Sequence, residues 1–286
     1  MLCDGFLIID KPYGISSRKL LDRIKPFTDK KLGHTGTLDP LATGMMVIAI
    51  QDATRFSSWI ISQDKAYEAV IQLGAQTETD DQEGEIIAQS DHIPSLESIN
   101  TALKKFIGDI SQRPPNYSAI HVNGKRAYEL ARNNKPVNLK ARPITIYDIQ
   151  LKTYDPNTRL LKLYIHCQSG TYIRSIARDL GIDLNCYGNL FSLKRLWVSP
   201  FEEHPMIQLE DLPKPSLPLD HFFKTLAHVE LSREQGLDLA HGKMITLDDT
   251  RELAAFYKDT FIGMIAPKDG YYKSIKLRSN VLKIFT

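Results

Sequence analysis

The side chain with the widest chemical scope is Asp39, the only carboxylate in the glycine-rich stretch Gly33–Gly44 (GHTGTLDPLATG). A carboxylate can act as a nucleophile or accept a proton. Next to Pro40 it can equally do no more than start a turn. The glycines do not announce a nucleotide phosphate. A Walker A loop needs G-x-x-x-x-G-K-[ST], but Gly33 and Gly36 stand too close and no Gly-Lys-Ser/Thr follows. The G-x-G-x-x-G dinucleotide fingerprint is missing as well. What these glycines permit is a sharp turn and a close approach of backbone to a ligand. His34, in the same stretch, reads first as a hydrogen-bonding loop residue. Tyr67 falls on a strand and reads first as a core aromatic. Arg174 follows Gly170-Thr171-Tyr172 in the first turn of a helix, where a surface arginine would also sit. Singly, none of these residues establishes a function.

The elements that must hold them can be read from the hydrophobic pattern. Residues 5–10 form a strand, KPYG a turn, and Ser16-Ser17 a helix start ahead of Leu20, Leu21 and Ile24. Residues 31–44 show neither a helical nor a strand period and are expected to be a long ordered loop. An apolar strand at 45–50 and a helix near 53–62 follow. Residues 65–74 alternate, placing Tyr67, Ala69, Ile71 and Leu73 on one face. A helix capped by Ser95 is expected over 95–107. Strands at 142–153 and 159–168 flank DPNT, a hairpin turn. A helix at 171–182 and a strand at 189–198 come next. This order is no repeated βα alternation. It implies an α+β (mixed α/β) fold with a large, mostly antiparallel mixed sheet flanked by helices. Residues 212–220 carry three prolines and are the candidate linker, with a small β-rich domain beyond.

Composition narrows the class. The chain has 286 residues, enough for one large domain or two unequal ones. Its 42% hydrophobic and 24% charged content excludes disordered, collagen-like and long coiled-coil chains. No apolar run approaches the roughly 18 residues of a membrane span. The N-terminus lacks the basic segment of a signal peptide, so a cytoplasmic location is expected. With 36 basic and 34 acidic residues, bulk charge says little about partners. Cys3, Cys167 and Cys186 have neither disulfide nor zinc spacing and are expected to be reduced, at least partly buried thiols.

In combination the motifs say more. Gly33–Gly44 resembles the catalytic motif of the TruB family of pseudouridine synthases. Five further blocks follow that family's order: GFLIIDKPYGISS, DKAYEAVIQLG, RPPNYSAIHVNGKRAYELAR, CQSGTYIRSIARDLG and LKRLWVS. The resemblance runs from residue 5 to about 200. It implies isomerisation of the T-loop uridine of tRNA, uridine-55, to pseudouridine. It implies a catalytic domain over 1–225 and, more weakly from GKMI (242–245) and FIGMIA (261–266), a PUA-like RNA-binding domain over 226–286. Asp39 would be the catalytic carboxylate, Arg174 its partner, and Tyr67 the ring that stacks on the target base. His34, Tyr172 and Leu193 would line the nucleotide pocket, and Arg55 and Asp81 would also bind substrate. Thr37 and Arg55 depart from the alanine and lysine common in the family.

The residue types suit the reaction. Extruding a base costs a few kcal/mol, and stacking on an aromatic ring recovers about 1–3 kcal/mol. An adjacent guanidinium keeps a partly desolvated carboxylate ionised. Whether Asp39 attacks the base, attacks C1′ or takes a sugar proton stays open. Between His121 and Pro143 there are six basic residues and one acid. Alone this could be a solvated face. With the resemblance it reads as a thumb, about 115–142, in which Lys125, Arg126 and Arg142 grip the T-stem-loop backbone. The thumb favours a stand-alone enzyme over the guide-RNA-dependent branch. No cofactor, no metal and no protein partner are expected, and the family precedent is a monomer. A zinc deaminase would need H-x-E and P-C-x-x-C, which are absent. A catalytically silent tRNA-binding or tRNA-folding protein is the alternative; keeping Asp39, Tyr67 and Arg174 together speaks against it.

Overall fold

GFLIIDK forms β1 (Gly5–Lys11), which is buried along nearly its whole length. The computed structural model of the chain describes residues 2, 4–122, 124–133 and 135–286; Cys3 lies outside them. Helix α1 (Ser17–Ile24) starts where expected, with the Ser16 hydroxyl accepting the Lys19 N–H at 3.2 Å. Strands β2 (Leu32–His34) and β3 (Ala42–Ile50) follow, then a 3₁₀ segment Gln51–Phe56 and α2 (Ser57–Ile61). The 31–44 stretch is therefore not all loop. Its ends pair into the sheet, Leu32–His34 against Ile48–Ile50. The helix expected near 53–62 divides between the 3₁₀ segment and α2.

Strand β4 (Lys65–Leu73) buries the predicted face. After the two-stranded ribbon β5 (Ala75–Thr77) and β6 (Ile86–Gln89) comes α3 (Leu96–Lys104), with Ser95 accepting the Ser98 N–H. Next are β7 (Gly108–Gln112), the short pair β8 (His121–Val122) and β9 (Lys125–Arg126), and α4 (Ala127–Arg132). Strands β10 (Arg142–Asp155) and β11 (Leu160–Cys167) form the hairpin around DPNT. Helix α5 (Ile173–Asp183) and β12 (Gly188–Val198) complete this part. The sheet runs β1-β3-β12-β4-β11-β10-β7, with β2 added beside β3.

One pairing in the sheet is parallel, β12 with β3, and it places Leu193 to Arg195 opposite Ala42 to Gly44. Only glycine fits at residue 44: its φ is +94°, and a Cβ there would lie 2.2 Å from the Arg195 carbonyl oxygen. On one side of the sheet, β4 and β11 pack against Ile176, Ala177 and Leu180 of α5 and Ile99 and Leu103 of α3. Cys167 and Cys186 are free and fully buried there.

The C-terminal residues add α6 (Leu219–Phe223), β13 (His228–Glu230), α7 (Arg233–Ala240), β14 (Leu253–Tyr257), β15 (Thr260–Lys268) and β16 (Tyr271–Leu277). Strands β13 to β16 form a separate four-stranded sheet. It shares a hydrophobic cluster with β1 and β3: Phe6, Val47 and Phe56 join Phe223, Phe256 and Phe261. Phe223 and Phe261 stack with ring centroids 3.8 Å apart. The proline-rich 212–220 segment is not a free tether. Leu217 exchanges two backbone hydrogen bonds with Phe6 at 2.7 Å, because edge strand β1 has unpaired groups to offer.

Candidate active site

The Asp39 segment is fixed from behind. The Leu38 N–H donates to Ser17 Oγ, and that hydroxyl donates to the Leu38 carbonyl, both at 2.9 Å. The Ala42 N–H closes a turn on the Asp39 carbonyl at 3.0 Å. Lys11, fully buried, donates to the Pro12, Pro40 and Ala42 carbonyls. This leaves the Asp39 side chain 40% exposed at a cleft of about 640 Å³.

Arg174 meets it from the first turn of α5. Arg174 Nη2 lies 3.1 Å from Asp39 Oδ2, while the arginine side chain is only 9% exposed. The same guanidinium donates to the Thr79 and Tyr117 carbonyls at 3.1 and 2.9 Å and to Asp81 Oδ2 at 3.4 Å. Asp81 in turn accepts from the Thr79 hydroxyl and, at 3.1 Å, from the Glu83 N–H. Expected to bind substrate, Asp81 is buried with both oxygens engaged by the protein, and it holds Arg174. Tyr172 caps α5. Its backbone is clamped in both directions by buried Gln112, at 2.9 and 3.1 Å.

The opposite wall is built by strand pairing. Arg195 of β12 stands across from Tyr67 of β4, and Leu193 across from Ala69. Burial pushes the Tyr67 hydroxyl up to about 12, opposed by the Arg195 guanidinium beside it. Arg195 is 2% exposed and donates to the Met45 carbonyl at 2.6 Å and the Gly36 carbonyl at 3.2 Å. Lys65, on the Tyr67 face of β4, donates to the Ile61 and Gln63 carbonyls. Burial is the main cause that lowers Lys65 and Lys11 to about 8, with Arg195 adding to it; Asp39 partly offsets the effect at Lys11. Among the described residues, Lys11, Lys65 and Arg195 have no carboxylate partner within ion-pair distance.

Of the sequence-predicted residues, the cleft brings together Asp39, Tyr67, Asp81, Tyr172, Arg174 and Leu193. His34 sits on β2 outside its lining, with Nδ1 buried and unbonded and burial lowering its pKa. Arg55 is not at the cleft either. It lies at the junction with the C-terminal sheet and donates to the Leu277 carbonyl at 3.2 Å, because the 3₁₀ segment points it that way. Lys125 and Arg126 are on β9 and Arg142 opens β10, all outside the cleft lining.

The cleft also contains residues that the sequence reading passed over. Lys65 and Arg195 had a usable signal, since they repeat at period two with Tyr67 and Leu193. Tyr128 and Arg132 are i, i+4 on α4, with the guanidinium 5.6 Å from the ring centre. Tyr117, whose hydroxyl donates to Glu78 at 2.7 Å, completes that rim.

Chemically the site offers a carboxylate held against a fixed guanidinium, an aromatic ring, and buried cations able to receive negative charge. The solved structure of a Cbf5-Nop10-Gar1 complex shares the fold: TM-score 0.72 at 21% identity, covering 96% of this chain and 84% of that one. A structure of an H/ACA RNP bound to a substrate RNA containing 2′-deoxyuridine aligns with a TM-score of 0.71 at 20% identity, covering 97% and 86%. Sequence relatives are nearer. The tRNA pseudouridine synthase B of Anaplasma phagocytophilum (strain HZ) is 41% identical over 254 residues, 86% of this chain and 85% of that protein. The protein of that name from Corynebacterium glutamicum (strain R) is 39% identical over 250 residues, 84% of each. Residues 24–173 match the TruB family pseudouridylate synthase (N terminal domain) model. The chain belongs to the TruB family of pseudouridylate synthases.

Proposed function

We propose that this chain isomerises the T-loop uridine of tRNA, uridine-55, to pseudouridine, with Asp39 as the catalytic carboxylate. The observation that carries the reading is the Asp39–Arg174 pair at 3.1 Å in an otherwise buried guanidinium network. Arg174 meets Asp39 Oδ2 in an ion pair, and the Asp39 side chain stays 40% exposed at the cleft. That exposure makes the carboxylate available to substrate. The relatives named tRNA pseudouridine synthase B support tRNA as the substrate.

The target uridine leaves its stack and enters the cleft, where Tyr67 stacks on it. When the C1′–N1 bond breaks, its electron pair leaves with the uracil. The base turns, C5 supplies the pair for the new C1′–C5 bond, C5 loses its proton and N1 gains one. The exchange is redox-neutral. Attack on the base, attack on C1′ and removal of a sugar proton all need a carboxylate oxygen where Asp39 stands. Lys65 and Arg195 supply positive potential on the side where the detached base carries negative charge. Lys125, Arg126 and Arg142 contact the RNA backbone, and residues 226–286 act as a PUA-like RNA-binding domain. The enzyme works as a single chain in the cytoplasm.

The test is incubation of the purified chain with unmodified T-stem-loop RNA in EDTA, mapping pseudouridine by carbodiimide labelling and primer extension. The expected result is conversion at the one T-loop uridine. Tight binding without conversion would favour the tRNA-folding alternative.

A further inference from the structure

Arg178 lies four residues beyond Arg174 on α5, so both guanidiniums project from one face of the helix. Each of its three nitrogens donates once: Nη1 to Asp80 Oδ2, Nε to Asp179 Oδ1 and Nη2 to the Arg113 carbonyl, each at 2.8 Å. The Ser175 hydroxyl donates to the same Arg113 carbonyl at 2.9 Å. Asp80 is 5% exposed and has a left-handed φ of 61°, a conformation the rest of its surroundings must hold. Its neighbours Thr79 and Asp81 are the groups that fix Arg174. Arg113 opens the segment that ends at Tyr117, whose carbonyl is the other acceptor of Arg174. The two arginines therefore grip the same two segments, 79–81 and 113–117. Only Arg174 reaches Asp39.

We propose that Arg178, through Asp80 and the Arg113 carbonyl, is the positioning residue that sets the place of Arg174 against Asp39. This rests on the reaction proposed above. The pair holds the Thr79–Asp81 turn at one end and the root of the cleft's outer rim at the other. A shift of either segment would move an acceptor of Arg174, and misplacing a catalytic group by about 1 Å can cost about a hundredfold in rate.

The experiment is single-turnover conversion of unmodified T-stem-loop RNA by the full chain, with RNA affinity measured in parallel. Arg178→Met and Asp80→Asn are each expected to slow conversion by about tenfold or more while affinity changes less than about threefold. Arg178→Lys, which keeps one donor toward Asp80, is expected to recover part of the rate. In an Arg174→Ala background, Arg178→Met is expected to add no further loss. A folded Arg178→Met variant with wild-type rate would overturn the proposal. So would parallel loss of rate and affinity, or an equal further loss in the Arg174→Ala background. If Arg178→Met does not fold, Arg178→Lys and Asp80→Asn decide: wild-type rate in both overturns it. Failure of the wild type itself to convert the RNA would instead overturn the underlying reaction.

Discussion

The two walls of the cleft handle charge in opposite ways. On the α5 side, carboxylates meet guanidiniums: Asp39 and Asp81 with Arg174, Asp80 and Asp179 with Arg178. On the sheet side, Lys65 and Arg195 donate to backbone carbonyls, with Lys11 behind the Asp39 loop doing the same. A buried cation without an anion is costly unless something anionic arrives. The first wall is paired within itself and presents the half-exposed Asp39 carboxylate. The second wall is incomplete until negative charge enters the cleft. Preorganised geometry therefore belongs to one wall, and stored positive potential to the other.

Breaking the paired wall should do most damage. Arg174→Ala is expected to lower turnover by about a hundredfold or more, with RNA affinity little changed, as measured by single-turnover kinetics and filter binding. It should also cost about 3 kcal/mol of stability in chemical unfolding, because Asp81 is left buried without its partner. An intact rate in that variant would remove the distinction between the walls.

Arg195→Met and Lys65→Met should give the reverse combination. Turnover is expected to fall about tenfold, while thermal stability changes little, since the cost of burying the cation disappears together with its hydrogen bonds to carbonyls. A large loss of stability in both would show that this wall is structural.

The same wall makes a pH prediction. Lys65 and Lys11 titrate at about 8 in the folded chain and near 10.5 when unfolded. Between those values the unfolded state binds more protons, so their contribution makes stability rise with pH. Denaturant titrations from pH 8 to 10 should show that rise, and Lys65→Met should reduce it. Turnover should fall over the same range as the positive charge is lost.

The smallest effect belongs to the thumb. Replacing Lys125 and Arg126 by glutamine should lower the slope of log affinity against log salt by about 1.5 to 2. An unchanged slope would mean that this charge is merely solvated.

Local periodicity carried much of this. The alternation at 65–73 placed Tyr67, Ser16 and Ser95 marked two helix starts, and DPNT marked the β10–β11 turn. What the sequence reading missed depends on distant pairing. The parallel contact of β12 with β3 joins residues about 150 positions apart, and it alone brings Arg195 beside Gly36 and Met45. The β2 strand is three residues long and exists because β3 offers it an edge. Asp81 is expected from the sequence to bind substrate, but its pairing with Arg174 spans 93 positions and no local pattern announces it. Arg55 illustrates the opposite limit: its charge suited RNA, yet its direction is set by a 3₁₀ segment that hydropathy does not distinguish from α-helix.

In the proposed reaction Asp39 is the nucleophile or base, Arg174 fixes it, and Lys65 and Arg195 supply positive potential. Asp39→Asn keeps the side chain's shape and removes its charge. Single-turnover conversion of T-stem-loop RNA by this variant should be undetectable, with RNA affinity within about threefold of wild type. Measurable conversion by the folded variant, at even a tenth of the wild-type rate, would contradict the account.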